Sequence, residues 1–240
     1  MKKLKRKALY GGTFDPIHNG HIEIARTFLE LFALDEFCFI PAHVAPHKRN
    51  ASVTPSLHRY AMLALATQND DRMSVSTIEL DAPEKPYTID TLTKLCAEAV
   101  DDAQLFFVMG ADSWMDIRTW RDWEQLLQLT NYIVVTRPGY ELSATHITSQ
   151  IRERIIDLRE LDKAQIKQKS IESDDRKIYI TDAVLMGVSA TSIRRAVRNG
   201  DGREWVMGVP LAVADYIRKY KLYTDQNETE LDSQTTGSAH

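Results

Sequence analysis

The stretch Lys7-Ala8-Leu9-Tyr10-Gly11-Gly12-Thr13-Phe14-Asp15-Pro16-Ile17-His18-Asn19-Gly20-His21 decides how this chain is read. Segment 7–10, apolar at 8–10, predicts a strand, and a glycine pair ends it. After a turn come two histidines, three residues apart, at the head of segment 21–34. Its apolar residues at 22, 25, 28, 29 and 32 keep helical spacing. Glycines let a backbone approach a ligand. A helix start offers unpaired N–H groups and the positive end of a dipole, which suit an anion. Imidazoles at i and i+3 share one helical face. Together these features point to phosphate chemistry.

Outward from that stretch, strands are expected at 36–40, 73–78, 104–109, 131–136 and 178–181. Helices are expected from Pro55 to about Thr67, and at 88–100, 143–161, 192–198 and 210–220, with loops at 42–54 and 162–177. The alternation predicts an α/β protein: a Rossmann-like, doubly wound parallel sheet with helices on both faces and a small C-terminal helical part at about 188–224. Ligands of such sheets sit beyond the carboxyl ends of the strands. The polar motifs at 11–21, 41–48 and 110–112 each follow a predicted strand, so one rim should carry all three. Residues 1–224 read as one domain. Residues 225–240, with no aromatic residue and one leucine, read as a disordered tail.

The net charge of −4 gives a nucleic-acid partner no global electrostatic support. Cys38 and Cys96 form no Cys-x-x-Cys pair, so neither a disulfide framework nor a metal site is expected, and both read as buried thiols of a reducing compartment. The basic start, 1–7, leads into glycine, aspartate and proline instead of an apolar signal core, and no stretch approaches a membrane span. A cytoplasmic protein without a membrane partner is expected. P-loop, Gly-x-Gly-x-x-Gly and Gly-x-Ser-x-Gly patterns are absent from the sequence.

His18 and His21 are the first candidates, as neutral or cationic donors to a transferring phosphoryl group. Lys48, in Pro46-His47-Lys48, is either a point charge on a phosphate or part of a solvated basic loop. In Val188-Ser189-Ala190-Thr191-Ser192-Ile193-Arg194-Arg195 the hydroxyls suit a helix cap. An arginine in the first turn of helix 192–198 opposes the dipole, and a docked anion would resolve that conflict. Arg194 is therefore assigned to a polyphosphate and Arg195 to solvent. Asp112, in Gly110-Ala111-Asp112, suits either an N-cap or a ribose. Pro86-Tyr87-Thr88 leads into a capped helix with Asp90 on its solvent face. Of Trp114, Trp120 and Trp123, one or two belong to the core, and Trp120 is suited to stacking on a flat ring.

Read in order, these motifs resemble the bacterial nicotinate-nucleotide adenylyltransferase family, within the nucleotidyltransferase superfamily that carries a His-x-Gly-His element. The resemblance runs from about residue 9 to 223. It includes Tyr87-Thr88-Ile89-Asp90-Thr91-Leu92, Arg137-Pro138-Gly139-Tyr140 and the closing Leu222-Tyr223. It implies adenylyl transfer from ATP to nicotinate mononucleotide, giving deamido-NAD and pyrophosphate, with Mg2+ carried mainly by the polyphosphate. His18, His21, Lys48 and Arg194 would hold the ATP phosphates. Gly11, Gly12, Thr13, Phe14, Gly110, Asp112, Ser189, Thr191 and Ile193 would line the ATP site, and Asp15, Tyr87, Thr88 and Trp120 the substrate site. N–H groups near Thr88 would meet the pyridine carboxylate. Two alternatives stay open: another phosphorylated acceptor, such as nicotinamide mononucleotide or phosphopantetheine, or a nucleotide sensor without turnover. The oligomeric state is not indicated.

Overall fold

The computed structural model describes residues 4–43, 53–99, 103–136, 142–171, 176–184, 187–200 and 204–224. Seven strands form one sheet: β1 (Lys5–Gly12), β2 (Glu36–Pro41), β3 (Met73–Val75), β4 (Ala103–Gly110), β5 (Asn131–Val135), β6 (Ile155–Asp157) and β7 (Ile178–Thr181). Their order is β3-β2-β1-β4-β5-β7-β6, and every pairing is parallel. Near-continuous apolar runs suit strands covered on both faces. Tyr10, Phe39, Phe106 and Ile133 point to one face, while Leu9, Ile40, Phe107 and Val134 point to the other.

The first face is covered by α1 (Asn19–Leu31), α2 (Ser56–Thr67), α7 (Lys163–Ile171), α8 (Ala190–Arg198) and α9 (Leu211–Lys219), which bury Phe28, Met62, Ile166, Ile193 and Val213. The second is covered by α3 (Thr88–Glu98), α4 (Ala111–Met115), α5 (Trp123–Leu126) and α6 (Ser149–Arg152), through Leu92, Trp114, Leu126 and Ile151. This is the expected doubly wound sheet. The chain grows from β1 to β2 and β3, then returns to β4 on the other side of β1. That reversal opens a crevice beyond the carboxyl ends of β1 and β4. Because all strands run one way, the segments after β1, β2 and β4 share one rim.

Two expectations are corrected. Residues 143–161 are not one helix: α6 is four residues long, and β6 then pairs with β7 at the sheet edge, Ile155 opposite Ile178. Ile147 and Ile151 enter the core of the second face, whereas Leu158 enters that of the first. A single helix would send its spaced apolar residues to one side, but here they serve both. Residues 162–177 are not one loop, because α7 lies within them. Asp162 Oδ1 accepts the Gln165 N–H (2.9 Å) and Gln165 Oε1 accepts the Asp162 N–H (3.0 Å), a reciprocal cap. Other elements differ at their ends: β3 stops at Val75, and α1 spans Asn19–Leu31 instead of 21–34. Residues 225–240, expected as a tail, lie outside the described residues.

Arg6 ties distant segments together from within β1. Its Nε donates to Phe32 O (3.0 Å), its Nη2 donates to Ser170 O (2.8 Å), and its Nη1 donates to Gln104 Oε1. Its guanidinium lies 4.7 Å from the Phe106 ring centroid. Arg6→Met would leave two buried carbonyls without this donor, so unfolding in urea should show a loss of about 2–4 kcal/mol at unchanged m-value.

Candidate functional site

The loop after β1 has a shape set by packing. Phe14 sits in the left-handed region (φ 49°) and folds its ring back over Gly12. A Cβ on Gly12 would stand 2.9 Å from that ring, so glycine is required here by an internal contact. The Phe14 ring meets Tyr10 (5.4 Å) and His21 (5.1 Å) edge-on. Asp15 is buried; its Oδ1 accepts the Tyr223 hydroxyl (2.8 Å), its Oδ2 accepts the Thr54 N–H (3.2 Å), and its carbonyl accepts Arg194 Nη1 (2.6 Å). Arg59, 1% exposed, donates to Thr54 O (2.9 Å), Thr13 O (2.8 Å) and His43 O (3.1 Å).

His18 occupies the position before α1, in extended conformation, and its ring stacks on His21 at 3.6 Å between centroids. The His18 N–H donates to His21 Nδ1 (3.3 Å). His21 therefore carries its ring proton on Nε2 when neutral. Burial pushes His18 down to about 4. His21 is held well below the usual histidine range by burial, and further by its neighbour His18. Both rings are thus neutral at pH 7. His18 Nδ1 is buried without a hydrogen-bond partner among the described residues.

A cavity of about 470 Å³ opens beside this loop. Gly11, Gly12 and Thr13 form one wall; Tyr87, Thr88 and Ile89, where α3 begins, form another; Thr119, Trp120 and Arg121 close it. The Tyr87 N–H donates to Asp90 Oδ2 (3.1 Å), a cap at the helix entry, with Asp90 exposed as expected. Trp120 is half-buried in the cavity wall, whereas Trp114 is fully buried, its indole N–H donating to Ser143 O (3.2 Å). Glu79 also lines the cavity. Its carboxyl accepts the Thr91 hydroxyl (3.0 Å), and burial raises its pKa.

The remaining candidates sit apart from this cavity. α8 begins at Ala190, two residues before the expected start, so Arg194 lies in its second turn and the first-turn dipole argument does not apply to it. The guanidinium is instead turned onto Asp15 of the loop after β1, and its Nη2 also lies 3.4 Å from Thr191 Oγ1. Arg195 is exposed. Ser189 caps α8, accepting the Ser192 N–H (3.1 Å), and Ile193 is buried in the core. Gly110, not Asp112, holds the capping position of α4; Asp112 is exposed in its first turn. Pro46, His47, Lys48 and residues 137–140 lie outside the described residues. Arg59 and Glu79 carry no local sequence signal that would have found them, and Arg121 only its place beside Trp120.

A doubly wound parallel sheet with a histidine pair heading its first helix defines a nucleotidyltransferase-type α/β protein. The family model described as cytidylyltransferase-like matches residues 9–196. A protein of Mycolicibacterium gilvum named "Probable nicotinate-nucleotide adenylyltransferase" is 36% identical over 217 residues, covering 90% of this chain and 96% of the relative. A Thermoanaerobacter protein of the same name is 35% identical over 228 residues, covering 95% and 99%. The chain belongs to the nicotinate-nucleotide adenylyltransferase family. In fold it is similar to the structure described as "Plasmodium falciparum nicotinic acid mononucleotide adenylyltransferase complexed with NaAD", with TM-score 0.66 and 22% identity over 91% of this chain and 97% of that one.

The buried histidines make stability pH-dependent. The unfolded state takes up a proton at about pH 6.5, whereas folded His18 resists protonation down to about 4. The His18 contribution to unfolding free energy should therefore fall as pH drops through that window and level off below it. Urea titrations across the window should show a shallower fall for His18→Gln, and an unchanged slope would contradict the assignment.

Proposed function

We propose that this protein transfers the adenylyl group of ATP to nicotinate mononucleotide, releasing pyrophosphate and forming deamido-NAD. The observation that carries the reading is the shared wall: Gly11, Gly12 and Thr13 belong both to the loop leading to the histidine pair and to the cavity containing Tyr87 and Trp120. One loop thus connects a phosphate subsite with an aromatic pocket. The acceptor's 5′-phosphate oxygen forms a bond to the α-phosphorus as the bond to the β-phosphate oxygen breaks. No enzyme nucleophile is needed, so positioning and electrostatics supply the catalysis.

In this reading His18 and His21 are pre-set N–H donors to the phosphates, in surroundings dry enough to keep them neutral. Arg194 fixes the loop through Asp15 and offers positive charge beside it, while Lys48 supplies a further cation. Gly11, Gly12, Thr13, Gly110, Asp112, Ser189 and Thr191 are assigned to the ATP side. Phe14, Asp15 and Ile193 act by supporting that wall. Trp120 and Tyr87 hold the pyridine ring, and N–H groups at Thr88 face its carboxylate. Mg2+ would neutralise charge on the polyphosphate. In this proposal Mg2+ is carried mainly by the polyphosphate; among the described residues no group of three or more His, Cys, Asp or Glu side chains is placed to hold an ion. No helix among the described residues is long and apolar enough to cross a membrane, and a cytoplasmic place of action belongs to the same proposal.

Pyrophosphate release with ATP and Mg2+ tests the reading, comparing nicotinate mononucleotide, nicotinamide mononucleotide and phosphopantetheine as acceptors. Rapid release with the first is expected, with a strong preference over the amide. Release with another acceptor alone would discard the substrate assignment. His18→Ala and His21→Ala should each lower kcat about 10²–10³-fold while thermal unfolding stays cooperative. Near-normal turnover in both would remove the role given to the pair.

A further inference from the structure

The segments that lead into β5, β6 and β7 meet at the amino ends of these strands, on the rim opposite the histidine pair. They are neighbours because the three strands run parallel in the order β5-β7-β6. A second cavity, of about 350 Å³, lies there, lined by Gln128, Gln150, Ile151, Arg154, Arg176 and Lys177. Its lining among the described residues holds three basic side chains and no acidic one. None of these residues lines the cavity beside the histidine pair.

Part of this charge has a structural task. Arg154 Nε donates to Arg176 O (2.8 Å), its Nη1 to Leu127 O (2.6 Å) and its Nη2 to Thr130 O (3.3 Å). The last two carbonyls lie between the end of α5 and the start of β5, where the backbone needs donors. The same turn draws in a second guanidinium, since Arg176 Nη1 donates to Gln128 O (2.6 Å). Arg154 thus engages every nitrogen of its guanidinium. Arg176 is exposed and engages Nη1 alone among the described residues, so its Nε and Nη2 keep N–H groups for another acceptor.

The two guanidiniums feel each other's charge. Burial lowers the Arg154 pKa most, Tyr132 opposes that shift, and Arg176 adds to it. Like charges gathered on one turn favour a counter-charge beside them. Carbonyl dipoles offset only part of that need. Glu172, Asp174 and Asp175 precede Arg176 in the sequence and lie outside the described residues.

We propose that this cavity is a second anion site, which takes a phosphate-type oxyanion through Arg176 with Arg154 as the fixed charge behind it. A guanidinium fork matches two oxygens of a phosphate, and the side chains of Gln128 and Gln150 offer neutral amide donors around it. The cavity holds about ten times a water molecule's share of liquid volume, which is room for a diphosphate.

The test is an NMR titration of the full chain with inorganic pyrophosphate, without Mg2+, following backbone amides. Saturable shifts are expected at 128, 150–154 and 176–177, with a Kd below about 1 mM. Arg176→Gln should weaken binding there at least about tenfold while its melting temperature stays that of the wild type. Arg176→Lys, which keeps the charge and loses the fork, should recover part of the affinity. Succinate, a dianion with carboxylates in place of phosphates, should bind at least about tenfold more weakly; equal affinity would overturn the phosphate assignment. Shifts reproduced by sodium chloride at equal ionic strength, or an affinity unchanged in Arg176→Gln, would overturn the site itself. So would a wild type without saturable shifts at these residues, the result expected if the acids at 172–175 fill the cavity.

Discussion

The guanidinium of Arg59 holds the rim of the sheet together. Where parallel strands end, the chain leaves as irregular backbone whose carbonyls need donors once they are buried. Arg59, from α2, donates to the carbonyls of Thr13, His43 and Thr54, gathering the segments after β1 and β2 onto one helix. Burial lowers its pKa from the ordinary arginine value, with the nearby Asp15 opposing that shift, and arginine stays charged throughout the accessible pH range. With Thr13 fixed, Phe14 can lie over Gly12 and back the His21 ring. The cavity wall and the loop leading to the histidine pair therefore share one support.

That support produces an unusual electrostatic setting for an anion site. His18 is buried and His21 partly buried, and both are neutral, so under the proposed function they would attract a polyphosphate through oriented N–H dipoles and not through net charge. Such dipoles act strongly where water is excluded and need little reorganisation during a reaction. Besides the buried Arg59, arginines stand at the edges, Arg194 behind the loop and Arg121 across the cavity.

The sheet was legible because its strands are dense apolar runs punctuated by glycine and proline, and such runs fix both strand type and parallel packing. The rim was legible for the same reason: motifs after parallel strands share an end. Apolar spacing misled at 143–161, where Ile147, Ile151, Ile155 and Leu158 keep helical periodicity although the isoleucines serve one face of the sheet and Leu158 the other. α7 was hidden because its buried contacts reduce to Ile166 and Ser170 amid lysine and glutamine, although the Asp162/Gln165 cap was there to be read. Arg194 was placed one turn early, since the capping residue is Ser189. Arg59 and Glu79 were invisible, because their importance comes from partners far along the chain and from burial that no local pattern encodes.

Tyr223 reaches back 208 positions to donate its hydroxyl to Asp15. Chains are synthesised from the N-terminus, so the strand, loop and first helix leave the ribosome long before this tyrosine exists. Until it arrives, the Asp15 carboxylate lacks one of its two side-chain acceptor contacts, and a buried carboxylate is costly without donors. The hydrogen-bond set of the loop that carries the earliest motif is consequently completed only by a residue near the end of the described chain. A nascent chain that already holds the first two strands therefore still lacks a donor to this loop that arrives only after α9.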